Sequence, residues 1–201
     1  MKKTCEDWPR HLPAGKFGPH FFVEFEKRAK AVSAEVFRVK TPEEAREVVC
    51  NLAQFTNARK VVSVTSPLQE ETGVEGALRA IGIEVYSDQA DIAAHAATAD
   101  IGLSGVEFGI AETGSVCQDG FAIESRLVST LPPLHVAFLD SNLIVPGIFE
   151  AFETISQVFD RGYISFITGP SRTADIERVL TIGVHGPSRF VIVAVDGGAA
   201  S

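Results

Sequence analysis

The sequence predicts an α/β protein with a mainly parallel sheet sandwiched by helices. Near-continuous apolar runs are typical of strands buried on both faces, and four stand out: VVSVT, VAFLD, ISFIT and FVIVAV. Segments with helical periodicity alternate with these runs, an order that gives parallel strands joined by helices. With 201 residues, of which 45% are hydrophobic and 22% charged, the chain can bury the core of one ordinary domain.

The predicted elements begin after an irregular N-terminal arm at 1–22, which mixes proline, glycine, histidine and charge without periodicity. A helix over FFVEFEKRAKAV and a short strand EVFRVK open the single domain, placed at 23–201. The next helix, TPEEAREVVCNLAQF, has the clearest start signal, with Thr41 as N-cap, Pro42 at the first helical position and Glu44 in a capping box. Apolar residues at helical spacing define its buried face: Ala45, Val48, Val49, Leu52 and Ala53.

Strands and helices alternate through the rest of the chain. The pattern predicts strand KVVSVT, helix VEGALRAIG, strand IEVYS, helix DQADIAAHAATA, strand DIGLSG, strand HVAFLD, a helix over 146–159, strand YISFIT, helix TADIERVLT and strand RFVIVAVD. The last three form a predicted βαβ unit, whose usual right-handed crossover makes the final strand parallel to the first. The sequence contains no repeat of fixed period, so nothing in it indicates a second domain.

Charge and cysteine content exclude several classes of function. A net charge of -8 argues against general nucleic-acid binding, which needs a basic face. No apolar run approaches the ~20 residues of a membrane helix, and the N-terminus lacks the apolar region of a secretory signal, so we expect a cytoplasmic protein. The spacing of Cys5, Cys50 and Cys117 fits no metal or redox motif. We therefore expect no metal and no cofactor bound by this chain.

The glycine-rich stretch SGVEFGIAETGSVCQDG, residues 104–120, is the first candidate site. Glycine permits the close backbone approach that a ligand loop needs, and Glu112 lies among apolar residues that would perturb its carboxyl, as a nucleophile or general base requires. The alternative, which the spacing favours, is a hairpin-like turn in which Glu112 and Thr113 bond backbone amides.

The stretch ISFITGPSRTADIERVL, residues 164–180, is the second candidate. A strand, a Gly-Pro turn and a helix would place loop amides at the carboxyl edge of the sheet, and Arg172 would add a cation for a carboxylate or phosphate. Ordinary helix capping by Ser171 or Thr173 is an equally good interpretation, because Asp175 would then complement the helix dipole. The residues alone leave both possibilities open.

The tetrapeptide GPSR of the second candidate returns at 186–189. In the predicted βαβ unit the two copies flank the connecting helix and lie ~13 Å or more apart, at opposite edges of the sheet. Arg172 and Arg189 are therefore not expected to share one pocket. We interpret the repetition as a coincidence.

Four segments in a fixed order make the chain resemble the LUD-domain family, in particular its lactate utilization protein C group. They are DIGLSGVEFGIAETGSV, the run from Arg126 to His135, FITGPSRTADIE and GVHGP at 183–187, and they cover about residues 60–196. The resemblance implies a fold similar to the NagB, ribose-phosphate isomerase and CoA-transferase group. It also implies a role in oxidising L-lactate to pyruvate with two iron-sulfur proteins, lactate utilization proteins A and B, which would hold the clusters.

The candidate positions combine both stretches with two further residues. They are Glu112 as a catalytic group, Thr113, Gly114, Gly169, Ser171, Arg172, Thr173 and Asp175 as ligand or anion contacts, and Arg126 and His185 as additional candidates. Three hypotheses follow: a cluster-free subunit of a lactate-oxidising system that binds a small carboxylate, a phosphate or a partner surface; a free-standing CoA-transferase-like or sugar-phosphate-isomerase-like enzyme using Glu112; and a regulatory scaffold.

Overall fold

The computed structural model describes residues 1–173 and 181–197. Its helices are α1 (Phe22–Ala31), α2 (Pro42–Phe55), α3 (Pro67–Thr72), α4 (Val74–Ala80), α5 (Gln89–His95), α6 (Ile123–Thr130) and α7 (Ile148–Val158). Its strands are β1 (Glu35–Val39), β2 (Lys60–Val64), β3 (Glu84–Tyr86), β4 (Ile101–Gly105), β5 (Phe108–Ile110), β6 (Ser115–Asp119), β7 (Leu134–Asp140), β8 (Ile144–Val145), β9 (Ile164–Ile167), β10 (Arg172–Thr173), β11 (Thr181–Ile182) and β12 (Arg189–Val195). None of the described helices has the length and apolar character needed to cross a membrane.

The main sheet is six-stranded and parallel throughout, in the order β1-β12-β7-β4-β2-β3. Along β12, Val191 and Val193 pack with residues of α2 and α4 on one face, while Ile192 packs with residues of α1 on the other. Burial on both faces explains why these strands are continuous apolar runs. The predicted fold class, a mainly parallel sheet covered by helices, is confirmed.

The predicted start of α2 is confirmed in detail. The Thr41 hydroxyl accepts a hydrogen bond from the Glu44 amide at 3.2 Å, and Pro42 occupies the first turn. The Glu44 carboxylate reaches one residue further than in a standard capping box and accepts from the Lys40 amide at 2.7 Å. Both contacts satisfy amide groups at the helix start, and the predicted apolar stripe is largely buried behind them.

A second sheet of four strands, in the order β8-β5-β6-β9, lies beside the main one. β5 and β6 form an antiparallel hairpin, so the hairpin-like interpretation of residues 104–120 is confirmed. β9 pairs antiparallel with β6 and does not join the main sheet. The predicted βαβ unit from YISFIT to RFVIVAVD is therefore wrong, because its two strands belong to different sheets.

The predicted helix over TADIERVLT is wrong at both of its ends. Its first residue, Thr173, lies in β10, and its last, Thr181, lies in β11; the two strands pair antiparallel with these residues opposite each other. A helix would hold its two ends apart, whereas this pairing brings them together. Residues 174–180, which include Asp175, lie outside the described residues.

The N-terminal segment, residues 1–22, contains short 3-10 turns at Trp8–His11 and Pro19–Phe21 and packs on the second sheet. The Trp8 side chain is only 1% exposed and packs with Phe108 and Ile110. The segment is further held by the Asp119 carboxylate at the end of β6. That carboxylate accepts hydrogen bonds from the Thr4 amide (2.7 Å), the Thr4 hydroxyl (3.0 Å), the Cys5 amide (3.2 Å) and the Trp8 indole (3.3 Å).

Candidate functional site

A cavity of about 740 Å³ lies at the carboxyl edge of the main sheet. Val64 at the end of β2, Ser104 and Gly105 at the end of β4, and Asp140 at the end of β7 line its base. Open α/β sheets bind ligands at this edge, because the loops and polar side chains that follow the strands converge there. The N-terminal segment contributes six further lining residues, which are Lys3, Glu6, Asp7, Trp8, Pro9 and Phe17.

The cavity combines an apolar wall with an acidic lining. The wall is formed by Trp8, Pro9, Phe17, Val64, Pro67, Leu68, Val106, Phe138 and Leu143. The ionisable lining residues, within the described part of the chain, are Glu6, Asp7, Glu71, Glu107, Asp140 and Lys3. Carboxylates therefore outnumber cations in the lining, and the electrostatic potential of the cavity disfavours anions.

Glu107 is the most strongly perturbed carboxylic acid of the cavity. Burial raises the pKa of its carboxyl to about 7, while the nearby Lys3 ammonium opposes the shift and Asp119 and Glu6 add to it. A carboxyl with a pKa near 7 exchanges protons readily at neutral pH, the property expected of a general acid or base. Glu107 lies within the first candidate stretch.

Asp140 and Asn142 form a second polar group at the cavity. Burial raises the pKa of Asp140, and hydrogen bonds from the backbone and side-chain amides of Asn142, at 2.8 and 2.9 Å, oppose the shift. Glu71 and Asp196 contribute further negative charge nearby. The Asp140 carboxyl therefore sits in an environment that favours an additional proton or a cation.

A buried polar cluster of Ser104, Gln118 and His135 lies beneath the cavity. The Ser104 hydroxyl is 2.9 Å from His135 Nε2 and accepts from the Gln118 side-chain amide at 3.1 Å. The pair of serine and histidine has the spacing of a nucleophile and its base, but burial lowers the pKa of His135 to about 3. His135 Nδ1 also has no hydrogen-bond partner among the described residues. An imidazole that is so weakly basic and not oriented by a third group is a poor base. We therefore assign no catalytic role to His135, while Ser104 and Gln118 also line the cavity.

The residues of the AETG turn lie at the tip of the β5-β6 hairpin, outside the cavity lining. Glu112 is exposed, and its carboxylate accepts from the Ile148 amide at 3.0 Å, at the start of α7. The Thr113 hydroxyl accepts from the Ser115 amide at 3.3 Å. Gly114 has φ +67°, and a Cβ there would lie 2.1 Å from the Ala29 amide of α1. These contacts join the hairpin to α1 and α7.

The two GPSR copies lie side by side at the amino edge of the main sheet, so the predicted separation is wrong. The Ser171 amide donates to the Pro187 carbonyl at 2.8 Å, and the Ser171 carbonyl accepts from the Gly183 amide at 2.9 Å. The separation assumed a βαβ crossover, which fails because β9 leaves the main sheet. Gly169, with φ +71°, packs directly against the Val32 carbonyl.

The two arginines of these copies bind the connection between α1 and β1. Arg172 donates to the Val32 carbonyl at 2.6 Å and to the Ser33 hydroxyl at 2.7 Å. Arg189 makes a bidentate pair with Glu35 at 2.9 and 3.0 Å. Both arginines therefore contact neighbouring residues of this connection, and whether they share a ligand stays a prediction.

The additional candidates lie apart from the cavity. The Arg126 guanidinium, on α6, stacks over the Tyr163 ring at 5.0 Å. His185 is exposed and lines a separate cavity of about 420 Å³ near the end of α6. The side chain of Thr173, like Asp175, is outside the described residues. No group of three or more His, Cys, Asp or Glu residues in the described ranges could hold a metal ion.

Sequence reasoning missed Glu107, Gln118, Asp140 and the N-terminal segment as parts of a possible site. A usable signal was present: Asp140 ends the apolar strand HVAFLD, and Glu107 follows DIGLSG by two residues. Polar residues placed just after parallel strands meet at one edge of the sheet. The contribution of the N-terminal segment had no such signal, because its position depends on contacts with Asp119, more than a hundred residues away.

Comparisons with known proteins give consistent results. A family model described as the LUD domain matches residues 23–195. Lactate utilization protein C of Halalkalibacterium halodurans is 29% identical over 157 residues, which are 75% of this chain and 68% of that protein. Lactate utilization protein C 1 of Bacillus mycoides is 35% identical over 106 residues, and there the match spans 45% of the relative's length. The crystal structure of a DUF162 family protein from Deinococcus radiodurans has the same fold, with a TM-score of 0.59 and 20% identity, and the match covers 91% of this chain and 99% of that one.

Proposed function

The chain belongs to the LUD-domain family, and from that premise we propose that it serves in lactate utilization. Its role would be that of a cluster-free component that works with iron-sulfur proteins in the oxidation of L-lactate to pyruvate. The observation that carries the proposal is the repeated match to proteins named lactate utilization protein C, at 29% and 35% identity in the two cases above. In this division of labour the clusters belong to the partners, lactate utilization proteins A and B.

Deleting the gene for this protein is expected to abolish growth on L-lactate and to leave growth on pyruvate unchanged. The reason is that pyruvate enters metabolism after the oxidation step. Growth yield on the two carbon sources, in a strain without another lactate oxidase, is the measurement. Undiminished growth on L-lactate would contradict the proposed function.

The same complementation experiment tests the positions predicted from the sequence. Strains carrying Glu112→Gln or Arg172→Ala report whether those residues are needed for lactate oxidation. We propose no separate enzyme that uses Glu112, because its carboxylate is exposed and engaged with the start of α7. The role of these residues in ligand binding stays a prediction.

An exposed aromatic surface on α7 is a suitable docking site for the iron-sulfur partners. Phe149 and Phe152 lie one turn apart on α7 and are 73% and 58% exposed, and Phe159, directly after the helix, is 45% exposed. A cluster of exposed aromatic side chains is typical of surfaces that other proteins cover.

Replacing Phe149 and Phe152 together with serine is expected to weaken co-purification of the iron-sulfur partners roughly tenfold, because aromatic anchors supply much of an interface's binding energy. The control is Phe55→Ser, since Phe55 is also highly exposed, at 81%, but lies at the end of α2. Pull-down of the partners by tagged protein, quantified against total folded protein, is the measurement. Equal losses for the double variant and the control would place the interface elsewhere.

A further inference from the structure

The cavity at the carboxyl edge contains a hydrogen-bond acceptor that lacks a partner. Gln118 is 2% exposed, lines the cavity, and its Oε1 atom has no hydrogen-bond partner among the residues that the structure describes. Its Nε2 atom donates to the Ser104 hydroxyl at 3.1 Å and to the Ser125 carbonyl at 3.5 Å. Because a carbonyl can only accept, the second contact orients the amide so that the oxygen is the free atom. A buried acceptor without a partner destabilises the folded protein, because it has lost its hydrogen bonds to water without replacing them. A ligand that donates a hydrogen bond there would remove this cost.

The position of Gln118 places this acceptor next to Glu107. The Glu107 amide donates to the Cys117 carbonyl at 2.8 Å, and the hairpin pairs Phe108 with Cys117, so Glu107 lies opposite Gln118 across the two strands. Both residues line the cavity. Two residues that are opposite each other on neighbouring chain segments therefore present an amide and a carboxyl group to one cavity.

The rest of the lining determines which kind of molecule fits. The carboxylates of Asp140, Glu71, Glu6 and Asp7 surround a space whose remaining wall is largely apolar. An anion entering this space would meet like charges, with Lys3 as the opposing cation in the described lining. A molecule with hydrogen-bond donors and a positive charge would satisfy both the free amide oxygen and the carboxylates.

We propose that this cavity is a binding site for a small organic amine with an apolar body, whose ammonium group contacts Gln118 and the Glu107 carboxylate. The apolar body lies against Trp8, Phe17 and Phe138. Ammonium groups suit this environment because they offer three donors and a positive charge, and their pairing with a carboxylate is strengthened by burial. The site goes beyond the proposed function and does not rest on it.

The test compares three probes with one ring and different head groups: benzylamine, benzyl alcohol and benzoate. Trp8 is the single tryptophan of the sequence and lines the cavity, so its fluorescence reports occupancy. We expect benzylamine to bind at least about tenfold more tightly than benzoate at pH 8, with benzyl alcohol between them. L-lactate is added as a fourth probe and is expected not to displace benzylamine.

Glu107→Gln is expected to weaken benzylamine binding about fivefold and to leave benzyl alcohol unchanged, because only the amine uses the carboxylate charge. The matched control is Glu47→Gln, which removes the same charge from the exposed surface of α2. The proposal is overturned if benzoate binds as tightly as benzylamine, if none of the probes binds at millimolar concentration, or if Glu107→Gln leaves amine affinity unchanged. Amine binding in a protein whose deletion does not affect growth on lactate would contradict the proposed function alone.

Discussion

Replacing Asp119 with alanine is expected to detach the N-terminal segment and to lower the free energy of unfolding by about 3 kcal/mol. The carboxylate is 6% exposed and accepts four hydrogen bonds from that segment, in addition to one from the Phe121 amide. Alanine leaves all of these donors without an acceptor. The Trp8 indole N–H, buried in the core of the second sheet, would bear a large part of the cost.

Urea denaturation measures the loss of stability, and Trp8 emission measures the detachment. Because Trp8 is the single tryptophan, a red shift of the emission in the native state reports that this residue has become exposed. Asp119→Asn is an informative comparison, since asparagine keeps the shape and one acceptor oxygen and should lose about half as much stability. Asp160→Ala, at an exposed aspartate, serves as the control. Unchanged emission and stability in Asp119→Ala would show that the segment is held by apolar packing instead.

Replacing Glu107 with glutamine is expected to stabilise the protein at alkaline pH and to have little effect at acidic pH. Burial raises the pKa of Glu107 in the folded protein to about 7, above its value of 4.5 in the unfolded chain. The folded state therefore binds the proton more tightly, so wild-type stability falls as pH rises from about 4.5 to 7. A shift of this size corresponds to about 3 kcal/mol, and water in the open cavity screens part of it, so we expect about 2 kcal/mol above pH 8.

The measurement is the difference in unfolding free energy between variant and wild type across this pH range. The contributions of other titrating groups cancel in this difference, because both proteins contain them. Lys3, Glu6 and Asp119 face Glu107 and are present in both proteins. Glu47→Gln should give a flat difference, because that residue is exposed on α2. A flat difference for Glu107→Gln as well would mean that its carboxyl is ordinarily solvated.

The architecture was largely predictable from the sequence, since local pattern and buried apolar runs agree at most elements. The α2 start is one example, because Thr41, Pro42 and Glu44 act through contacts within four residues. The failures involve β9 and the segment after it. An apolar run such as ISFI predicts a strand but not its partner, and pairing with β6 depends on residues about fifty positions away.

The candidate site was less predictable than the fold. Glu112 and Glu107 lie in one glycine-rich stretch, and nothing in their spacing shows which carboxyl faces a cavity. Glu107 does so because the hairpin begins at the end of β4, whereas Glu112 lies at the far tip against α7. The position of the Gln118 side chain depends on the pairing of β5 with β6, because that pairing brings it within hydrogen-bond distance of Ser104.

The position of β12 in the main sheet has a consequence for how the protein is synthesised. β12 lies between β1 and β7, yet it is the last of the described strands to leave the ribosome. Until residues 189–195 emerge, β1 has no neighbour in the sheet and the edge of β7 is open to other chains. Contacts between residues as distant as Glu35 and Val191 also slow folding, because a long loop must close before they form. The nascent chain therefore carries unpaired strand edges through most of its translation, and chaperones that cover such edges should improve its yield.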